Sequence, residues 1–296
     1  MAKISRRGVL AGMASVAPTI WLPGCTTETG AGETGAGPWS TPPPRPLTPS
    51  RGSEATIVQR IDARPTTDGA GATLARVFPS RQLPNLDPFV LLDDFDVHVP
   101  AGFPEHPHRG FEAFTYMIEG AFHHQDTMGN DSRIGAGGTQ RFNSGRGARH
   151  SEMPGTRGSN RGLQLWVNLP RDKKTMEPEY QGIDGDRMPV DERDGQRIHT
   201  IVGPGSEVAL HTDVQYLDVT LLADGSFGRV IPEGSSTLLY VIDGAVTVGD
   251  QLAHRGQGLV LGPGELLARG KAGARVAYLQ GRPHHQPIRH RGPFVD

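Results

Sequence analysis

Four side chains in two short pairs carry the chemistry of this chain. His106 and His108 are one residue apart, as are His150 and Glu152. In an extended strand, residues i and i+2 point to the same face. Each pair can therefore aim both groups at one point, and two strands of one barrel can bring the pairs together across its interior. Three neutral imidazoles and one carboxylate suit a first-row divalent ion such as Fe(II), with room for water or substrate on an octahedral ion. A structural zinc more often has a closed tetrahedral shell built with Cys, and the chain has a single Cys. Glu112 has the parity of His106 and His108. An unbroken strand would turn it inward too, at the ion or behind a ligand imidazole. Its other reading is an ion pair with Arg109 or Arg146.

The remaining histidines are less suited to chelation. His123 and His124 are adjacent, as are His284 and His285, so a regular strand would send the two members of each pair to opposite faces. One of His123 and His124 is expected on the surface and the other in the core. Leu163, Leu165 and Trp166 read as core strand. Gly145 and Gly147 read as a tight turn that places His150. There is no G-x-x-x-x-G-K phosphate loop and no G-x-S-x-G nucleophile turn.

Such a site needs strands to hold it, and the composition supplies them. The 296 residues include 40 Gly and 25 Pro, which is poor for helix interiors and suited to turn-dense β structure. Short apolar runs at residues 89–92, 114–118, 163–169, 214–222, 237–242 and 274–279 are separated by Gly, Asn or Asp clusters. That spacing predicts an all-β sandwich or barrel. Residues 172–195 are polar and charged and read as a connection between two halves. With 30 basic and 32 acidic residues there is no basic excess of the kind that binds nucleic acid. One Cys rules out an internal disulfide framework and a thiolate cluster.

The amino terminus reads as an address. Lys3, Arg6 and Arg7 precede an apolar stretch over residues 9–22 that is short for a membrane span. Ser5-Arg6-Arg7-Gly8-Val9-Leu10 resembles a twin-arginine export signal, and Leu22-Pro23-Gly24-Cys25 resembles a bacterial lipobox. Cys25 is then the lipid attachment point, and the protein is expected in the periplasm or cell envelope, touching membrane only through that lipid. Residues 26–54 are rich in Thr, Gly and Pro and read as a disordered tether.

The chain resembles the pirin family over roughly residues 55–295. The resemblance rests on the run Asp87-Pro88-Phe89-Val90-Leu91-Leu92-Asp93-Asp94-Phe95 and on Gly102-Phe103-Pro104-Glu105-His106-Pro107-His108-Arg109-Gly110-Phe111-Glu112. It extends through Gly145-Arg146-Gly147, His150-Ser151-Glu152 and the segment Gly162-Leu163-Gln164-Leu165-Trp166-Val167-Asn168-Leu169-Pro170, and ends with Gly292-Pro293-Phe294-Val295. It implies a bicupin of the cupin superfamily: two antiparallel β-barrels, here residues 55–180 with the metal and 181–296 without. It implies His106, His108, His150 and Glu152 as ligands of one divalent ion, Fe(II) first, with Mn, Ni, Cu or Zn as alternatives.

Some pirins open a flavonol ring with dioxygen, and others act through protein partners. Two readings follow. In the first the chain is a quercetinase-type dioxygenase whose substrates are dioxygen and a small aromatic, with Glu152 as the base. In the second it is a non-catalytic, redox-sensing bicupin at the envelope.

Overall fold

The computed structural model describes residues 52–296; the expected export signal, Cys25 and most of the expected tether lie outside them. Strand is the dominant regular structure of the described residues, whose helical content is two short 3-10 turns at Arg171–Lys173 and Gly185–Arg187. Strand Phe111–Glu119 shows why. Phe114 and Tyr116 on one face and Phe111, Ala113 and Met117 on the other are all buried. Such a two-sided apolar strand is stable only between two layers. Gly120, at φ 70°, ends it and turns the chain into Ala121–Asp126, and Gly244, at φ 71°, does the same between Ser236–Asp243 and Ala245–Val248.

The same plan occurs twice. The first barrel pairs a seven-stranded sheet with a four-stranded one. Around the site, the large sheet runs in the order Thr139–Asn143, Phe111–Glu119, Arg161–Asn168, Phe89–Asp96, Ala72–Phe78. The small sheet runs Phe103–His108, Ala148–Pro154, Ala121–Asp126, Asp131–Gly135. The second barrel repeats both sheets with the same strand counts. The two large sheets pack against each other through one apolar core that includes Phe89, Tyr116, Leu163 and Leu165 from the first barrel and Tyr216, Leu238, Tyr240 and Leu279 from the second.

The expected division at residue 180 is crossed in both directions. Ile57–Asp62, at the start of the described chain, pairs with Gln257–Leu261 in the second barrel's sheet. The His290–Arg291 and Phe294–Val295 hairpin returns to the first barrel, where Val295 N donates to Arg109 O at 3.0 Å. Glu179–Ile183, which spans the division, pairs with Thr139–Asn143 of the first barrel. Gly110 makes room for the returning hairpin. Its φ is 86°, and a Cβ there would lie 1.9 Å from Val295 O.

The barrel interface also holds polar groups, and they are reciprocal. Tyr116 of the first barrel donates to Asp218 of the second at 2.7 Å, and Arg275 holds Asp218 through two contacts of 2.8 and 2.5 Å. Tyr240 of the second barrel donates to Asp94 of the first at 2.9 Å, where Arg161 stands 3.8 Å away and is gripped instead by Asp243 at 3.0 Å. Burial raises the Tyr116 and Tyr240 hydroxyls above their usual range, and the neighbouring carboxylates add to the effect. Both phenols stay protonated as donors.

Candidate metal centre

The two predicted pairs meet in the small sheet of the first barrel. His150 sits directly opposite His106 in register, and Ala148 opposite His108. The register slips between His150 and Glu152, so Glu152 faces Phe103 instead of the next alternate residue. A bulge of this kind commonly sits beside a functional site, where it re-aims side chains. His106 Nε2 lies 2.9 Å from His108 Nε2 and 3.1 Å from His150 Nε2. Potential ligand atoms of these three rings all fall within 4.8 Å of one another.

Three nitrogen lone pairs converging in this way fit a cation, and the electrostatics keep the rings in ligand form. Burial, aided by His106, pushes His108 down to about 3, and burial with His108 and His106 holds His150 well below the usual imidazole range. Neutral imidazole is the form that coordinates a metal. The stability consequence has a definite sign. Unfolded histidine takes up its proton near pH 6.5, whereas folded His108 does so only near pH 3. The metal-free protein should therefore lose stability as pH falls below 6.5, by up to about 1.4 kcal/mol per pH unit for each such histidine. Urea midpoints of chelator-treated protein at pH 7 and pH 5.5 check this, and a His108→Leu variant should show a shallower slope.

Glu152 stands beside the cluster without joining the 4.8 Å group. Its Oε1 accepts from Thr115 Oγ1 at 2.5 Å and from Gln140 Nε2. Thr115 and Gln140 belong to a polar row that crosses the large sheet: Gln140, Thr115, Gln164, Asp93 and Arg76 are successive register neighbours. In the second barrel, Leu239 stands five residues before its Gly turn as Thr115 does before Gly120. The row there reads Leu259, Leu239, Tyr278, Leu217 and Thr200. The positions matching His150 and Glu152 are Leu266 and Ala268. One barrel is polar along this line, and the other is mostly apolar, with Tyr278 and Thr200 as its polar members.

Glu112 is a correction. It is fully buried but faces the second barrel: Arg141, on the neighbouring strand Thr139–Asn143, donates to its Oε1 at 2.7 Å, and His211 N from the second half donates to its Oε2 at 3.1 Å. The turn at Gly110 moves the chain from the small sheet to the large one, so the parity of His106 and His108 does not carry across it. Neither alternative partner is used: Arg109 pairs with Asp296 and Arg146 with Glu177. Burial raises the Glu112 carboxyl, and Arg141 opposes that shift.

Trp166 is buried core on strand Arg161–Asn168, as expected, but it also reaches the site. Leu163 and Leu165 enter the core between the barrels, but Trp166 alternates to the barrel interior. There it stacks on Phe111 at 4.0 Å, meets His108 edge-on at 4.9 Å and lines the cavity. His123 is exposed on Asp131 and His124 is buried on Asp126. Sequence reasoning missed Thr115, Gln140, Gln164, Asp93 and Arg76. Their one signal is a polar residue inside an otherwise apolar strand, as Thr115 is in Phe-Thr-Tyr.

The cluster opens onto a cavity of about 510 Å³ lined by His106, His108 and Glu152 but not by His150. Leu74, Phe95, Phe103, Phe122 and Trp166 give it an apolar wall; Arg76, Asp93 and Gln164 give it a polar one. Arg76 is clamped to Asp93 by two contacts of 2.8 Å. Pro293 and His290 of the returning hairpin complete the rim.

Comparison with known proteins agrees with this architecture. The pirin model matches residues 71–167, and the model of the pirin C-terminal cupin domain matches residues 216–296. A pirin-like protein of Solanum lycopersicum is 40% identical over 251 residues, covering 81% of this chain and 86% of that protein. A Pseudomonas aeruginosa protein provisionally named a quercetin 2,3-dioxygenase is 39% identical, covering 81% of this chain and 90% of its own length. The crystal structure of a quercetin 2,3-dioxygenase from Acinetobacter baumannii superposes with a TM-score of 0.75 at 27% identity, covering 82% of this chain and 92% of that one. With two cupin barrels, a histidine cluster in the first, and relatives matched along most of their length, the chain belongs to the pirin family.

Proposed function

We propose that this pirin is a metal-dependent dioxygenase acting on flavonol-like aromatic substrates, with Fe(II) as the expected ion. The observation that carries the reading is the cavity: two of the three converging imidazoles, His106 and His108, open onto about 510 Å³ walled by aromatic side chains on one side and hydrogen-bonding groups on the other. That volume lies within the usual range for small-molecule sites, about 300–1,000 Å³. His106, His108 and His150 would hold the ion, with Glu152 as the fourth donor once its carboxylate turns from Thr115 and Gln140. A bound first-row ion supplies Lewis acidity and a redox centre for dioxygen chemistry.

The chain's own groups do the rest. Phe95, Phe103, Phe122 and Trp166 hold planar rings and exclude water from them. Glu152 takes the proton of the substrate hydroxyl that docks at the cluster. Gln164 and the Arg76–Asp93 pair meet the substrate's more distant oxygens. The leader and Cys25 would place this chemistry outside the cytoplasm, on a lipid-held tether.

The test is anaerobic reconstitution with Fe(II), Mn(II), Ni(II) or Cu(II), followed by oxygen uptake with quercetin. Uptake should require metal and should vanish in His150→Ala. A loaded protein that takes up no oxygen with any of the four ions would overturn the dioxygenase reading in favour of a partner-binding role.

A further inference from the structure

An imidazole that binds a metal through Nε2 carries its proton on Nδ1, and that N–H is almost always accepted by a carboxylate, a carbonyl or water. Two of the three rings meet this requirement. His106 Nδ1 is 2.8 Å from Pro104 O, and His108 Nδ1 is 3.3 Å from Pro293 O. His150 is the exception: its Nδ1 is buried and has no hydrogen-bond partner. Phe142 stacks on this ring at 4.3 Å and 5°, which fixes its plane.

The neighbouring ring has the opposite deficit. His124 is fully buried, and its Nε2 lies 3.0 Å from Asp126 Oδ2. Nε2 is therefore the protonated nitrogen, and Nδ1 is left as a bare acceptor. That Nδ1 is also buried without a partner. The His124 and His150 ring centroids are 5.2 Å apart and the rings meet edge-on at 60°, with the two Nδ1 atoms not in direct hydrogen-bond contact. A buried donor without an acceptor and a buried acceptor without a donor thus lie on adjacent rings.

We propose that His124 is the positioning residue of His150: its Nδ1 accepts the His150 Nδ1–H, directly or across one water, and so fixes the tautomer and ring angle that present Nε2 to the metal. The far end of the relay is rigid. Asp126 accepts from Asn130 Nδ2 at 2.8 Å and from the backbone N–H groups of Met128 and Asn130 at 2.9 and 3.0 Å. Tyr180 stacks on His124 at 4.2 Å. In register, His124 faces Glu152 and Asp126 faces His150, so the relay runs along the same two strands that carry the ligands. The inference rests on the metal-centre reading and is independent of the dioxygenase reading.

The test uses the full chain, stripped by chelator and titrated with Zn(II) against a competing chelator. His124→Phe keeps the ring and its stack but removes both nitrogens, and zinc affinity should fall about 10- to 100-fold. In zinc-loaded wild type with ¹⁵N-labelled histidine, the His150 Nδ1–H should exchange slowly with solvent. In His124→Phe it should exchange fast while the His106 and His108 signals stay put. Tight zinc binding by wild type with unchanged affinity in His124→Phe overturns the proposal alone. Should His124→Phe fail to fold, the wild-type spectrum decides: no slowly exchanging His150 Nδ1–H overturns it. A wild type that binds no zinc overturns this proposal and the metal-centre reading together.

Discussion

His150→Ala should fold and yet retain no stoichiometric metal. Wild type purified without affinity chelators should carry one ion per chain. Loss of one of three nitrogens should cost more than the about 10- to 100-fold typical of a supporting residue, because His150 lies 3.1 Å from His106 Nε2 and nothing else in the cluster can replace it. Thermal stability reads the same event. Metal at about 100 times its dissociation constant adds about 2.7 kcal/mol to wild type and should add nothing to the variant. Circular dichroism shows whether the barrel survives; elemental analysis counts the ion. A variant that keeps its metal would reject the three-histidine centre.

The second large effect lies at the interface between the barrels. Arg275→Met should destabilise the protein by about 3–5 kcal/mol, the usual cost of stranding a buried charge. Asp218, with a side chain only 1% exposed, would keep the Tyr116 hydroxyl and lose both guanidinium contacts. Arg161→Met should cost less through Asp94, because that pair stands 3.8 Å apart and Tyr240 still donates to the carboxylate. Urea unfolding of the two variants beside wild type measures the difference. Equal losses, or a loss below about 1 kcal/mol for Arg275→Met, would show that the two reciprocal polar sites do not differ as their distances indicate.

The parts of the site that were legible in the sequence obey a local rule. His106, His108 and His150 could be paired because strand alternation has period two and needs no knowledge of the rest of the chain. The all-β class was legible for a similar reason: glycine-rich turns recur at strand spacing. Glu112 was misplaced because its parity was counted through Gly110, where the chain leaves one sheet for another. Trp166 was legible as core but not as a cavity wall, because strand Arg161–Asn168 is covered on both faces; apolar content then says nothing about which face meets the cavity. The Gln140 to Arg76 row is set by register between five strands distant in sequence, and no short window contains it. Pro293 joins His108 across 185 positions, a contact fixed by the final packing.

The exchange of strands between the barrels has a consequence for biosynthesis. The first described strand waits for Gln257–Leu261 before it has a neighbour, and His108 waits for Pro293 before its Nδ1 has an acceptor. At about 5–20 residues per second, the 185 positions between His108 and Pro293 take about 10–40 s to translate. The three imidazoles are therefore made before the site is finished, and a metal arriving early would meet His108 without its Pro293 contact. The second barrel borrows a strand that is made first, whereas the first barrel waits for a hairpin that is made last, so the contact that supports His108 is among the last to form.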